Sequence, residues 1–408
     1  MPEAKQLRVC PSIPAHQECK NLRIMRDAFL LDPDLIFLNH GSFGACPREV
    51  FEQYQHWQLE LERNPVEFLG RKSGLLLAQA RVALADYLGA SSEDLVFVPN
   101  ATTGVNIVAR SLDLQPGDEI LGTDHEYGAC DATWERECQR VGAHYRRVLL
   151  PLPFKPEEFA ARMMAEVSPR TKLIFASHIT STTALILPVA LLCQLARAAG
   201  IPTLIDGAHA PGQMALDLQE VGADFYTGNC HKWMCAPKGA DFMHVQPQRH
   251  SAIEATVVSW GYVAGEGGHT GFDAYTGRSR LERRLQWQGT RDLAAYLTVP
   301  AAIAFQAKHD WPQQRNRCHE WACATLHKAL ARNRLEPVAP DHAYAQMVPI
   351  PVRTTDAEGL RRQLFEQHRI EIPVTQHGPH TFVRLSVQAY NKPAELDALL
   401  AALAEAGV

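Results

Sequence analysis

The sequence has few features of a membrane-spanning, secreted or nucleic-acid-binding protein. No stretch of its 408 residues approaches the roughly 18 consecutive apolar residues that indicate a membrane span. The first twenty residues lack the apolar core of a signal peptide, and the ten cysteines form no dense disulfide framework. A net charge of -5 without a long basic stripe disfavours nucleic acid and anionic membranes as partners. We therefore expect a protein of the reduced cytoplasm.

The motifs of several common enzyme classes are also missing. The sequence has no GxxxxGK[ST] phosphate loop, and no GxGxxG follows its first predicted strand. HExxH and CxxC…CxxC are absent, so we expect no metal ion. The absence of GxSxG disfavours a serine hydrolase.

Short apolar runs alternate with helical patterns between about residues 35 and 245. Most runs have about four to eight residues, as expected for strands buried on both faces of a sheet. This alternation predicts an α/β fold with a mostly parallel sheet. The predicted strands lie in LIFLNHG (35–41), LVFV (95–98), DEILG (118–122), AHYRRVLL (143–150), KLIFAS (172–177), PTLID (202–206), ADFYTG (223–228) and ADFMHV (240–245).

The pattern changes after Arg291. A long helical region is followed there by short strands and helices, which predicts a smaller α+β domain. The chain is also longer than one compact core usually accommodates. We therefore predict an N-terminal arm at 1–30, a large domain at 31–295 and a small C-terminal domain at 296–408.

Polar and titratable residues directly follow most of the predicted strands. Ligands of open parallel sheets bind beyond the carboxyl ends of the strands, so these residues are expected to line one pocket. They lie at 39–42, 100–104, 124–127, 177–178, 206–209 and 229–232. In the segment 100–104, Asn and Thr fit two interpretations equally well: a simple helix cap, or a helix start that binds phosphate.

Two residues at these strand ends indicate a cofactor site. Asp206 ends an apolar strand, where a carboxylate needs a positive partner. That partner is either a nearby Arg or His or a protonated pyridine nitrogen. Lys232 is followed by the apolar residues 233–235, and a desolvated amine there is the nucleophile that a Schiff base requires. Lys238 competes for this role on spacing alone.

Several motifs together resemble the class V aminotransferase fold of pyridoxal-phosphate (PLP) enzymes. DGAHAPG (206–212) and ADFYTGNCHKWMCAPKG (223–239) resemble the cofactor-binding core of that family. NHGSFG (39–44), NATTGVN (100–106) and DHEYGA (124–129) are most similar to its isopenicillin N epimerase-like branch. The resemblance covers about residues 30–390 and implies the aspartate aminotransferase-like fold, also called PLP-dependent transferase fold type I.

The resemblance implies how the cofactor ring is held. Lys232 would form the Schiff base, Asp206 would pair with the pyridine nitrogen, and His209 would lie near the ring hydroxyl. An aromatic residue covers the ring face in this family, and both His125 and Tyr127 fit that position.

The resemblance also implies a phosphate site and a dimer. Thr102 and Thr103 would bind the phosphate, supported by Thr227 and His231. Thr290, in WQGTRD, resembles the residue that reaches the phosphate of the neighbouring subunit. A homodimer with shared active sites follows from this comparison.

Substrate binding is implied at a third group of residues. Arg384 matches the arginine that binds the substrate carboxylate, a task suited to its planar donors, and Asn39 and His40 would lie beside it. Cysteine desulfurases of this fold carry a nucleophilic cysteine shortly before that arginine, whereas residues 368–386 contain none here.

The leading prediction is an epimerase or racemase that acts on an amino acid or an amino-acid-containing small molecule. Lys232 would remove the α-proton, and His40, Tyr127 or His209 would return one on the other face. A carbon–sulfur β-lyase is the alternative, and an aminotransferase is the third possibility. A non-catalytic binding protein is disfavoured, because both Asp206 and Lys232 are present.

Overall fold

The computed structural model describes residues 25–263 and 279–408, so most of the predicted arm lies outside the described residues. The strands are β1 (Ile36–Phe37), β2 (Leu95–Val98), β3 (Glu119–Thr123), β4 (His144–Val148), β5 (Thr171–Ser177), β6 (Thr203–Gly207), β7 (Phe225–Asn229), β8 (Asp241–Val245), β9 (Met347–Val352), β10 (Ile370–Glu371), β11 (Val374–His377) and β12 (His380–Ser386). The helices are α1 (His40–Phe43), α2 (Arg48–Arg63), α3 (Pro65–Glu67), α4 (Ser73–Leu88), α5 (Ala101–Ser111), α6 (Gly128–Val141), α7 (Phe159–Ala165), α8 (Val189–Ala198), α9 (Leu218–Val221), α10 (Trp260–Val263), α11 (Arg280–Leu285), α12 (Ala294–Leu297), α13 (Val299–Lys308), α14 (Trp311–Asn333), α15 (Ala357–His368) and α16 (Pro393–Glu405).

Seven strands form the central sheet, in the order β2-β8-β7-β6-β5-β3-β4. The pairs β3–β4, β3–β5, β5–β6 and β6–β7 are parallel, whereas β8 is antiparallel to both β2 and β7. The prediction of a mostly parallel α/β sheet is confirmed. The edge strand β4 is the exception to the predicted burial on both faces, because four of its five side chains are exposed or half-buried.

Alternate residues of each central strand pack on opposite faces of the sheet, as the two-residue period of a strand requires. Val96 and Val98 of β2 belong to one buried cluster, together with Trp134 of α6. Leu95 and Phe97 of the same strand belong to a second cluster, which includes helix α4. Helices therefore cover both faces, and the carboxyl ends of the parallel strands remain open to bind a ligand.

The C-terminal part forms a three-stranded antiparallel sheet in the order β11-β12-β9, with α14 packed on β9. This is the predicted change to α+β structure. The long helical region before it is three helices, and Asp310, which takes a left-handed conformation (φ 46°), separates α13 from α14. β1 pairs with β10, so residues before the large sheet join the C-terminal part. The boundary at 295 stays a prediction.

No helix within residues 25–263 and 279–408 is long and apolar enough to cross a bilayer.

Candidate active site

A cavity of about 930 Å³ lies at the carboxyl ends of the central strands and at the start of α5. Most of the predicted strand-end segments contribute to its wall, because parallel strands deliver their ends to one edge. The residues that line it include Ser42, Asn100, Thr102, Thr103, Tyr127, Ser177, Ser181, Asp206, His209, Asn229, His231 and Lys232.

Lys232 follows β7 and lines this cavity. Burial lowers the pKa of its amine to about 8, which favours the uncharged, nucleophilic form. Its Nζ lies 3.3 Å from Nε2 of His209. Lys238 lies outside the cavity wall, and its Nζ donates to the carbonyl of Gly44 at 3.0 Å. Of the two lysines that the sequence left open, the structure brings Lys232 into the site.

Asp206 is buried at the end of β6, with 3% of its surface exposed, and it borders the cavity. One carboxylate oxygen accepts the amide of Ala208 at 2.9 Å, and the other accepts the Cys130 thiol at 3.5 Å. Among the described residues no cation lies within ion-pair distance of it, and burial raises the pKa of Asp206. A buried carboxylate without a counter-ion is suited to a ligand that brings a positive charge.

A second buried acid, Glu126, was missed by the sequence analysis. The hydroxyls of Thr123 and Ser177 both donate to it at 2.6 Å. Burial raises the pKa of Glu126 to about 8, and the nearby charge of Asp206 adds to this effect. This environment favours the protonated form of Glu126. The available sequence signal for Glu126 was its place in the polar segment that follows β3.

The start of α5 is both a capped helix end and a part of the cavity wall that can bind phosphate. Oδ1 of Asn100 accepts the Thr103 amide at 2.8 Å, so Asn100 caps the helix. Oδ1 of Asn229 accepts the Ala101 amide at 2.9 Å. Thr102 and Thr103 nevertheless line the cavity, and the positive end of the helix dipole faces it. This helix end is suited to a phosphate group.

His231 and Thr227 differ in their access to the cavity. His231 lines it, and its Nδ1 lies 2.7 Å from Asp241. Thr227 is completely buried and donates to the carbonyl of Phe242 at 3.0 Å, with its side chain against Gly104 of α5. Thr227 therefore does not line the cavity itself, and its support of the phosphate stays a prediction.

Asn229 and Thr290 differ in their position relative to the cavity. Asn229, one strand period beyond Thr227, reaches the cavity and was not among the predicted site residues. Thr290 is exposed and lies outside this cavity, so its contact with a neighbouring subunit, and the homodimer itself, stay predictions.

The structure distinguishes the two candidates for the residue that covers the cofactor ring. Tyr127 lines the cavity, with 49% of its surface exposed. His125 is buried behind it, where Nδ1 lies 2.7 Å from the Thr183 hydroxyl and Nε2 lies 3.2 Å from the Leu150 carbonyl. His125 is therefore not part of the cavity wall; the geometry favours Tyr127, and the identity of the ring-covering residue stays a prediction.

His125 also belongs to a group with Asp124 and His377 whose side-chain atoms are close enough to share an ion. A carbonyl oxygen can accept a hydrogen bond but cannot donate one. Nε2 of His125 must therefore carry the proton that it donates to the Leu150 carbonyl, and it has no free lone pair for a metal ion. The His125 and His377 rings lie 3.8 Å apart, and His377 pairs with Asp124 at 3.4 Å. These bonds define a packed contact between the two parts of the chain rather than a metal site.

Arg384 is a buried cation that lacks a carboxylate partner in the described part of the chain. Its guanidinium donates to the carbonyl of Ser181 at 2.6 Å and to the Ser42 hydroxyl at 3.1 Å, and both serines line the cavity. Its Nε has no partner there. Burial lowers the pKa of Arg384 to about 10, which leaves it charged at neutral pH. An uncompensated guanidinium beside a cavity fits a substrate carboxylate.

Asn39 and His40 do not line the cavity, although their neighbour Ser42 does. The Asn39 amide donates to Glu371 at 3.2 Å. His40 is completely buried, and burial lowers its pKa to about 3. The described geometry does not favour a substrate contact by either residue or a proton donated by His40, and these roles stay predictions.

His40 instead holds the backbone beside the lysine. Its Nε2 lies 3.0 Å from the carbonyl of Lys232, and its Nδ1 lies 3.1 Å from the Tyr390 hydroxyl. Both ring nitrogens are therefore engaged within the protein.

These features define a PLP-dependent enzyme. A buried acid without a counter-ion, an amine with a lowered pKa and a capped helix end that faces the same cavity fit the ring nitrogen, aldehyde and phosphate of that cofactor. Residues 37–399 match the family model of aminotransferase class V. The chain belongs to this family, and pyridoxal 5'-phosphate is its cofactor.

Individual relatives resemble the chain over most of its length. It is 41% identical to an isopenicillin N epimerase of Streptomyces clavuligerus, over 93% of this chain and 96% of that one. It is 38% identical to an isopenicillin N epimerase of Amycolatopsis lactamdurans, over 93% and 97% of the two chains. The solved structure of the cystine C–S lyase C-DES superposes with a TM-score of 0.79 at 25% identity, over 91% of this chain and 98% of that one.

Proposed function

We propose that the protein is a PLP-dependent epimerase or racemase that acts at the α-carbon of an amino acid or of a small molecule containing one. The observation that carries this proposal is that two proton-transferring side chains, Lys232 and Tyr127, line one cavity from separate strand ends. An epimerase needs a proton acceptor and a proton donor at the same carbon. The two epimerases that are 41% and 38% identical support the same reaction.

Each side chain of the site has a part in this reaction. The bound cofactor supplies an electron sink for the carbon beside the substrate amine. Asp206 would hold the proton on the ring nitrogen, and Thr102, Thr103, Asn229 and His231, which line the cavity, would hold the phosphate. The amine of Lys232 removes the proton from the α-carbon. The Tyr127 hydroxyl then donates a proton to the other face of the same carbon.

Arg384 orients the substrate. Its guanidinium, fixed by Ser42 and Ser181, binds the carboxylate beside the reacting carbon. This contact holds the α-proton within reach of the lysine.

A carbon–sulfur β-lyase is the second candidate, and the superposition on C-DES favours it. A lyase needs the lysine base and a leaving group on the β-carbon, but no second proton donor at the α-carbon. A cysteine nucleophile of the desulfurase kind finds no support, because none of the eight cysteines in the described chain lines the cavity. Tyr127 therefore discriminates between the two reactions.

Proton NMR in D2O tests the proposed reaction directly. The cofactor-loaded enzyme is incubated with a panel of L-amino acids, cysteine conjugates and isopenicillin N. Replacement of the α-proton by deuterium, together with the appearance of the other epimer, would support the epimerase. Pyruvate and a released thiol would refute it and identify a β-lyase.

Replacing Tyr127 with phenylalanine is expected to separate the two proton transfers. Loss of a positioned acid or base costs roughly 10²- to 10⁴-fold, so inversion should slow by at least that lower factor. Because Lys232 is intact, the epimer whose α-proton faces the lysine should still exchange it with D2O. Tyr54→Phe is the matched control, since Tyr54 lies outside this cavity. Equal loss of inversion and exchange would contradict a donor role for Tyr127.

Replacing Arg384 with methionine is expected to weaken substrate binding. Hydrogen bonds to charged groups contribute about 1.5–3 kcal/mol, so KM should rise roughly 10- to 100-fold. The visible absorption of the lysine-bound cofactor should stay unchanged. Steady-state kinetics of Arg384→Met and of the exposed control Arg361→Met measure this effect. An unchanged KM would show that the substrate carboxylate binds elsewhere.

A further inference from the structure

Trp233, directly after Lys232 in the chain, is connected to the amine of that lysine through His209. The indole Nε1 of Trp233 donates to Nδ1 of His209 at 3.3 Å. On the other side of the same ring, Nε2 of His209 lies 3.3 Å from Nζ of Lys232. Trp233 is completely buried and is absent from the cavity wall, so its indole N–H reaches the site through His209.

The chemistry of the indole fixes the position of the proton on His209. An indole N–H only donates, so Nδ1 of His209 must accept and carries no proton. The single N–H of the neutral ring is then on Nε2, directed at Lys232. Burial and the nearby charges of Lys232 and Arg384 lower the pKa of His209 well below its usual range, which keeps the ring neutral.

This arrangement favours one state of the lysine. An N–H on Nε2 can donate to the lone pair of an uncharged amine but opposes an ammonium group, which offers only N–H donors. We propose that Trp233 is a positioning residue, which fixes the tautomer of His209 and thereby favours the uncharged form of the Lys232 amine and orients it. The inference rests on the proposed function in one respect, that Lys232 is the nucleophile and base of the site.

The surrounding contacts hold both aromatic residues in place. The carbonyl of Trp233 accepts the side-chain amide of Gln306 at 3.0 Å. The carbonyl of His209 accepts the side-chain amide of Gln213 at 2.8 Å. Gly212 packs so closely on Trp233 that a Cβ there would lie 2.3 Å from the Trp233 carbonyl. Packing therefore holds the indole of Trp233, the ring of His209 and the amine of Lys232 in this arrangement.

The other titratable groups around this path are not altered when the indole N–H is removed. Around the Lys232 amine these are Asp206, Asp241, Cys130 and Arg384, and around His209 they are His40, His231 and Arg384. A change in the pH response of Trp233→Phe therefore reports the lost indole N–H.

The test compares the wild type with Trp233→Phe, which keeps a buried aromatic ring but has no N–H donor. Trp311→Phe is the matched control, because Trp311 is also buried and donates its indole N–H to the Gly212 carbonyl at 3.0 Å, away from His209. The pH dependence of cofactor capture by cofactor-free protein measures the uncharged fraction of Lys232. We expect its midpoint to rise by about one pH unit in Trp233→Phe, as the loss of one hydrogen bond implies. In Trp311→Phe it should remain that of the wild type.

A second measurement keeps the inference testable if Trp233→Phe does not fold. ¹⁵N NMR of histidine-labelled wild-type protein should show His209 neutral at neutral pH, with its proton on Nε2. A protonated Nδ1 at His209, or equal midpoints in Trp233→Phe and the wild type, would overturn the role of Trp233. Both readouts use cofactor-free protein, so an incorrect choice between epimerase and lyase would leave them unaffected.

Discussion

Lys232→Ala is expected to abolish both turnover and covalent retention of the cofactor. In the proposed arrangement Lys232 is both the nucleophile that captures the cofactor and the base that acts on the substrate. Loss of the base alone costs up to about 10⁴-fold, so we expect turnover to fall by at least that factor. The D2O exchange assay measures the loss, and the visible absorption band of the lysine-bound cofactor should disappear with it.

Borohydride reduction followed by peptide mass spectrometry assigns the lysine independently of activity. In the wild type the peptide that contains Lys232 should gain the mass of the reduced cofactor. Lys238→Ala is the matched control, because Lys238 is six residues away and its amine donates to Gly44 outside the cavity. A label that fragment ions place on Lys238, or full turnover by Lys232→Ala, would refute the assignment.

The fold was predictable because burial imposes a simple pattern on the sequence. The strands β5 to β8 are buried on both faces, so their apolar runs marked them to within one or two residues. The edge strand β4 has a mixed sequence, and it forms mainly because β3 offers it a partner. Similarly, the pairing of β1 with β10 joins segments more than 300 residues apart, which no local pattern indicates.

The site was predictable as a set of strand ends but not as a set of side-chain directions. Asp206 and Lys232 reach the cavity as expected. By contrast, Thr227 lies one strand period before the residue of β7 that lines the cavity, and the His40 side chain is buried in the core. Whether a residue at a strand end faces the cavity depends on the turn that follows, and that turn is set by packing between distant segments. Ser181 was missed for the same reason, since its role depends on Arg384 of β12.

Asp206→Asn is expected to have the second largest effect. In the proposed arrangement the buried carboxylate meets the protonated ring nitrogen, and removal of one partner from a buried ion pair costs roughly 3–5 kcal/mol, on the order of 10²- to 10⁴-fold in rate. Asparagine keeps the shape of the side chain and its acceptor for the Ala208 amide but has no charge. Asp224→Asn is the matched control, since Asp224 is also buried but bonds to Thr203 and Arg249 instead.

The pH profile gives this prediction a distinct signature. The ionised fraction of Asp206 falls as the pH drops through its pKa, which burial raises and the positive charge of the bound ring nitrogen would lower. The wild-type rate should therefore decline on the acid side, whereas Asp206→Asn, which has no group to protonate at that position, should lack this decline. Turnover measured from pH 4 to 9 in both proteins compares the two profiles. An acid decline that persists in the variant would assign that titration to a different group and leave Asp206 a structural role only.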